Sequence, residues 1–241
     1  MKKFSNTLKM AILTATVPFG MLASTSASAE LSASATIASS YLWRGFELGS
    51  GTPAISADLV YSNGGFYAGT WVSSGDTTGG TEYDLFAGYG GSIGESISYD
   101  ISYISYIYPT GDYAETEGPG DFAEAILNVG LGPISLTYKE NVAGDTSFPS
   151  DTLSPGDDGE LGGPGYALPS DYSYFSIDTS AGDFSFTLGF HDGAANDSTH
   201  FDVTYGATEN LAFTFSTIVD SDDSSSDPEP TVVASYSIPL M

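Results

Sequence analysis

The amino-acid sequence predicts an all-β protein: a single antiparallel β-barrel of about 12 strands that crosses a membrane, with short turns at one end and long acidic loops at the other. Three observations carry that expectation. Runs of the ~9–11 residues that span a bilayer as a tilted strand alternate apolar and polar side chains, a period of two that puts successive residues on opposite faces of a sheet. The connections between them alternate between short and long. Finally, the mature chain holds no apolar run near the ~18 residues of a membrane helix, so a spanning structure has to be a closed barrel.

The chain begins with Lys2, Lys3 and Lys9, an apolar run over 10–22, and small residues ending in Ala27-Ser28-Ala29. A basic region, a short apolar core and an A-x-A site predict a secretory signal peptide over 1–29, removed before Glu30, and a barrel over 30–241. The mature chain has no cysteine, so no disulfide holds it; sheet closure or a large core must do so. Three of the five basic residues lie in the leader, which leaves Arg44 and Lys139 against 31 carboxylates, −29 by difference. Such a charge repels nucleic acid and attracts cations. Adaptation to a saline habitat is the alternative source of the acidity.

The clearest hairpin lies in 81–109. In its first run Tyr83, Leu85, Ala87 and Tyr89 point one way and Glu82, Asp84 and Gly88 the other; GGSIGE turns the chain; in the second run Ile97, Tyr99, Ile101 and Tyr103 oppose Ser96, Ser98, Asp100 and Ser102. Upstream, a first strand over 31–43 sets Leu31, Ala33, Ala35, Ile37, Tyr41 and Trp43 on one face and ends at Arg44 on the other. A second strand over 53–61 shows Ile55, Ala57, Leu59 and Tyr61 outward with Asp58 inward, and Pro53 stands at its start, where a missing N–H is tolerated. The third strand, 66–73, is ambiguous, because either Phe66, Ala68 and Val72 or Tyr67 and Trp71 could face outward. Downstream, strands are predicted over 122–129, 134–139, 172–179, 184–190, 201–205, 211–219 and 231–240. Phe184, Phe186, Leu188 and Phe190 make the clearest apolar face of that half.

The connections SNGG, GGSIGE, GLGP, AGD and ATEN are short; those over 45–52, 74–80, 110–121, 142–171, 191–200 and 220–230 are generally longer. Even strand number with this asymmetry is the pattern of outer-membrane barrels, whose turns are periplasmic and loops extracellular. Charges inside strands (Asp58, Glu82, Asp84, Asp100, Glu124, Lys139, Asp178 and Asp202) all fall on the polar, lumen-facing side.

The segments SSYLWRGFELGSGTPAISADLVY, GFYAGTWVSS and EYDLFAGYGGSI followed by SYDISYISYIYP resemble the Gcw_chp family of proteobacterial envelopes, also called TorF-family porins. The likeness rests on Tyr41, Arg44-Gly45, Pro53-Ala54, the run Gly65 to Gly69, Trp71, Gly88-Tyr89 and Tyr99-Asp100. The chain departs from the family where an Asp precedes the aromatic residue, at Ser40, and where a Ser-Gln pair follows the Arg-Gly, at Glu47-Leu48. The resemblance implies an outer-membrane barrel and a channel with no well-defined substrate. The chain ends in Leu240-Met241 rather than on the aromatic residue usual in such barrels.

These readings predict passive diffusion of ions or small hydrophilic solutes across a Gram-negative outer membrane. The expected lining is Arg44, Asp58, Glu82, Asp84, Asp100, Glu124, Lys139 and Asp202, and its carboxylates favour cations. Arg44 and Lys139 are either ion pairs with Asp58, Glu82, Asp84 or Asp100, or elements of a filter. The longest loop, carrying Asp145, Asp151, Asp157, Asp158, Glu160 and Asp171, is a candidate constriction or mouth loop. Membrane lipid, cations and small solutes are the expected partners; no nucleic acid, cofactor or metal is called for. Gly162 to Gly165 opens like a calcium repeat without its Asp, and DSDDSSSDPEP over 220–230 lacks the EF-hand spacing, so both read as loops. Gly90 to Gly94 formally matches G-x-S-x-G, but a strand follows it where a nucleophile elbow needs a helix. A barrel lipid hydrolase using His191 or His200, a closed barrel serving as scaffold or adhesin, and a soluble periplasmic β-protein are the alternatives.

Overall fold

Twelve strands close into one antiparallel barrel, and a small hairpin folds into it. The computed structural model describes residues 29–77, 79–110, 118–143, 172–193, 197–222 and 228–241. The proposed leader, the carboxylates from Asp145 to Asp171, the Gly162 to Gly165 run and the middle of the 220–230 acidic run lie outside them. In chain order the strands are β1 (Glu30–Ala38), the short β2 (Leu42–Trp43) and β3 (Phe46–Glu47), β4 (Ala54–Asn63), β5 (Phe66–Asp76), β6 (Gly80–Ile93) and β7 (Ile97–Ile107). They continue as β8 (Phe122–Leu131), β9 (Ile134–Ala143), β10 (Ser173–Ala181), β11 (Phe184–Asp192), β12 (Thr199–Gly206), β13 (Leu211–Asp220) and β14 (Thr231–Pro239). Each barrel strand pairs with its neighbour in sequence, skipping β2 and β3, and β1 closes the sheet against β14 from Ser34↔Pro239 to Ala38↔Ser235.

The predicted faces follow from the register. Leu31, Ala33, Ala35 and Ile37 stand opposite Tyr61, Leu59, Ala57 and Ile55, so one outward stripe crosses two strands. Closure removes every sheet edge, so all ladder N–H and C=O groups find partners inside the barrel wall. Aromatic residues gather at the short-turn end of that outer face: the rings of Phe66 and Tyr89 are 4.7 Å apart, and those of Phe184 and Tyr205 5.1 Å. At the other end Phe175 stacks on Phe190 at 6.0 Å.

The short turns are as tight as the sequence requires. Gly64 and Gly65 have φ of 58° and 93°, the two positive angles of a type I′ hairpin turn, which glycine enters without a Cβ clash. Three expectations change. The GGSIGE turn contracts to 94–96, because Gly90 to Ile93 stay paired in β6 as far as Ile93↔Ile97. The loop expected over 74–80 shrinks to 77–79, since β5 bulges past Ser73 and pairs again at Asp76↔Gly80. The ambiguity of the third strand resolves, with Phe66 67% exposed outward and Tyr67 4% exposed inside, where its hydroxyl reaches Asp100 at 2.9 Å.

The largest departure is at the first strand. It does not run to Trp43: β1 ends at Ala38, the chain turns into the barrel, and Tyr41, expected on the outer face, is 1% exposed with its hydroxyl on Glu82 at 2.7 Å. Period-two alternation alone cannot register such a bend, because the bend itself resets which parity points inward.

Candidate functional site in the barrel lumen

β2 and β3 form a hairpin through Leu42↔Glu47 and Trp43↔Phe46, with Arg44-Gly45 as its two-residue tip. Arg44 has φ 45° and Gly45 φ 94°, the same double-positive signature as at Gly64-Gly65. An L-residue with a long side chain pays about 1–2 kcal/mol in that region. The side chain offsets the strain. Arg44 Nη1 donates to Glu124 Oε1 at 2.8 Å and Nη2 to Glu124 Oε2 at 2.5 Å, a bidentate pair in which the two residues are 2% and 0% exposed. The same Nη1 donates to the Tyr172 hydroxyl at 2.8 Å, and Tyr106 donates to Glu124 at 2.7 Å. Burial works against the charge of Arg44, and the bidentate bond to the Glu124 carboxylate, with the bond to the Tyr172 oxygen, offsets it. Trp43 and Tyr174 rings lie 4.7 and 4.9 Å from its Cζ, within cation–π range.

The hairpin is tied at its base as well. Leu48 N donates to Tyr41 O at 2.8 Å, Thr77 N to Leu48 O at 3.1 Å, and Ser40 bonds the Glu47 carboxylate. At its tip the two histidines close over it. His191 Nε2 faces the Arg44 carbonyl at 2.9 Å, which fixes Nε2 as the protonated nitrogen, and its Nδ1 then accepts from Tyr172 at 3.0 Å. His200 Nε2 meets Tyr174 at 2.9 Å and its Nδ1 meets Asp202 at 3.1 Å, while Ser216 donates to Asp202 at 2.6 Å. A Cβ built on Gly45 would stand 2.5 Å from His200 Cβ. Gly45→Val is therefore expected to dislodge the tip at a cost of about 1–3 kcal/mol from backbone strain alone. In a Trp71→Phe background, increased iodide quenching of Trp43 fluorescence checks it.

All eight residues expected to line the lumen point inward, and the fold sorts them into two levels. Arg44, Glu82, Asp84, Glu124 and Lys139 gather in the long-loop half, nearly sealed from solvent. Glu82 accepts from Tyr41 and also from Tyr108 at 2.9 Å. Lys139 Nζ and Asp84 Oδ1 have no hydrogen-bond partner there. The expected pairing of Arg44 with Asp58, Glu82, Asp84 or Asp100 is corrected: its partner is Glu124, because the inward bend carries Arg44 across the lumen to β8. Asp58 stands near mid-strand on β4 and bonds Ser34 at the middle of β1. Toward the short turns the inward face carries Thr137, which donates to Asn128 at 2.7 Å, and Asp178, which accepts from Ser176 and Thr187 at 2.8 and 2.7 Å, and also the buried Tyr67 and Asp100.

Sequence reasoning missed Tyr41, Tyr172, Tyr174, His191 and His200 as members of this site. A signal existed: Tyr174 shares the inward parity of Ser176 and Asp178, and His200 that of Asp202. Ser92, the serine of the G-x-S-x-G match, meets neither histidine. Ser92 pairs with Ser98 beside the 94–96 turn, whereas both histidines stand at the long-loop end with tyrosine, aspartate and carbonyl partners. Among the described residues no group of His, Asp and Glu could hold a metal ion.

The chain is similar in structure to the KdgM porin, at 8% identity and a TM-score of 0.47, covering 88% of this chain and 99% of that one. It is similar to OccAB2 of Acinetobacter baumannii at 12% identity and 0.38, over 78% of this chain and 55% of that one. Outer membrane phospholipase A of Escherichia coli matches at 12% identity and 0.42, over 88% and 89%. Likenesses this distant do not decide between a channel and a hydrolase. No curated protein matches in sequence. Residues 22–219 match the family described as "Bacterial protein of unknown function (Gcw_chp)", a span that covers the hairpin and all but the last strand of the barrel, and the chain belongs to that family.

Proposed function

We propose that the mature chain, freed of the 1–29 leader, is an outer-membrane channel of the TorF porin type for ions and small hydrophilic solutes, cation-favouring, and shut by the β2–β3 hairpin in the present conformation. The supporting observation is the two-level lumen. Asp58 and Asp178 are partly exposed on the inward face, which also packs Tyr67, Phe86 and Ile126, and the two mature cations, Arg44 and Lys139, are buried at the hairpin level. Twelve strands leave a narrower lumen than the 16 to 18 of wide aqueous porins, so ions and small solutes are the fitting cargo. The long loop expected from sequence to constrict the lumen lies outside the described residues; among the described residues it is the β2–β3 hairpin that narrows it.

The sealing of Arg44 and Glu124 also favours a second reading, a permanently closed barrel acting as scaffold or adhesin. Salt-gradient recordings on the refolded mature chain in planar bilayers separate the two. The channel predicts discrete steps with a reversal potential on the cation side, abolished in preference by Asp58→Asn with Asp178→Asn. Silence from wild type and from a barrel whose residues 42–47 are replaced by a Gly-Ser link, both shown folded by heat-modifiable gel mobility, would establish the closed barrel.

A further inference from the structure

We propose that His191 makes the hairpin a proton-operated gate: protonating this one imidazole on the barrel wall unlatches Arg44 and opens the lumen. The inference rests on the channel reading above and adds what moves the plug.

The geometry of the latched form suits a neutral imidazole. His191 donates from Nε2 to the Arg44 carbonyl, so Nδ1 is an acceptor and takes the Tyr172 proton. Tyr172 in turn accepts from Arg44 Nη1. With a neutral imidazole, every donor in the loop of bonds from Arg44 to Tyr172 to His191 and back to Arg44 has an acceptor. A proton added at Nδ1 would turn an acceptor into a donor facing a hydroxyl hydrogen, and would set a second positive charge beside the guanidinium.

Among the described residues, nothing around His191 compensates that charge. From the hairpin it meets Arg44 and the rings of Trp43 and Phe46, at 5.6 and 5.4 Å. From β10 and the residue before it, His191 meets Tyr174 and Tyr172, at 5.2 and 5.9 Å. From β12 it meets His200 at 5.8 Å. The neighbouring carboxylates are already engaged: Glu124 on β8 by Arg44 and Tyr106, and Asp202 on β12 by His200 and Ser216. Lys139 on β9, register partner of Tyr174, is a further cation of the same level. His200 differs, because Asp202 on its own strand can balance a proton there. The asymmetry singles out His191.

The sign follows. The latched state holds His191 neutral and the released state, with Arg44 withdrawn and water admitted, accepts the proton more readily, so acid favours release. Recordings on the full mature chain at about pH 7.5 and about pH 5 should show open probability rising on the order of tenfold or more, the effect of one unit of differential proton affinity. His191→Gln, which keeps a donor and an acceptor but cannot take a proton, should stay shut at both values; His191→Asn serves if the glutamine variant does not fold. A variant that keeps the acid response would overturn the proposal, assigning the response to Glu124 or Asp202. A barrel with residues 42–47 replaced by a Gly-Ser link should conduct at both values. If it conducts while wild type ignores acid, the gate fails and the channel stands; if it too is silent, the channel reading fails and takes the gate with it.

Discussion

Arg44→Asn is expected to leave a folded barrel that conducts without acid and unfolds more easily by about 3–5 kcal/mol, the usual cost of leaving one member of a buried ion pair without the other. Asparagine is chosen because Asn-Gly is the favoured pair of a type I′ turn, so the backbone of the tip is relieved rather than strained. What is lost is then the side chain alone: two charge-assisted bonds to Glu124 and one to Tyr172. Glu124, fully buried, would retain only Tyr106 among those partners. Urea titration in lipid vesicles reads the stability and bilayer recording reads the lumen. Adding Glu124→Gln should recover most of the stability, since no charge is then left buried, without closing the channel. A variant within about 1 kcal/mol of wild type, the range of exposed pairs, and equally silent would show that the hairpin is held by its packing and not by the ion pair.

Ile101→Arg is the second large effect, expected on the outer wall. Ile101 is 60% exposed at the centre of β7, opposite Leu127 on β8 and Tyr89 on β6, so its side chain meets only what surrounds the barrel. At the bilayer midplane an arginine there costs about 2–4 kcal/mol, falling to about 0–1 kcal/mol near an interface. Ile93→Arg, on a residue 63% exposed beside the 94–96 turn, is the matched control at the rim. Folding into vesicles followed by heat-modifiable mobility should be impaired for Ile101→Arg and nearly normal for Ile93→Arg. Equal behaviour of the two would mean that the wall does not face lipid at all.

Much of this architecture was legible because it is one-dimensional. Alternation along β6, β7, β11 and β12 puts a residue on the wall or in the lumen by counting alone, and antiparallel pairing between sequence neighbours preserves the count around the barrel. The strand number, the outward stripes and the inward position of Asp58, Asp84, Asp100, Glu124, Lys139 and Asp202 are therefore properties of the chain's own pattern. So are the tight turns, where Gly64-Gly65 permits angles that other residues resist.

Tertiary structure decided everything that depends on leaving the wall. Residues 39–48 have composition and alternation compatible with a continued strand, yet Tyr41 and Arg44 gain buried partners, Glu82 and Glu124, only if the chain bends inward. Those partners lie 41 and 80 residues away, on strands that are not their neighbours. Local pattern records which face a residue prefers. It carries no information on which of several inward carboxylates lies across the lumen, because that is set by the stagger and closure of the whole barrel.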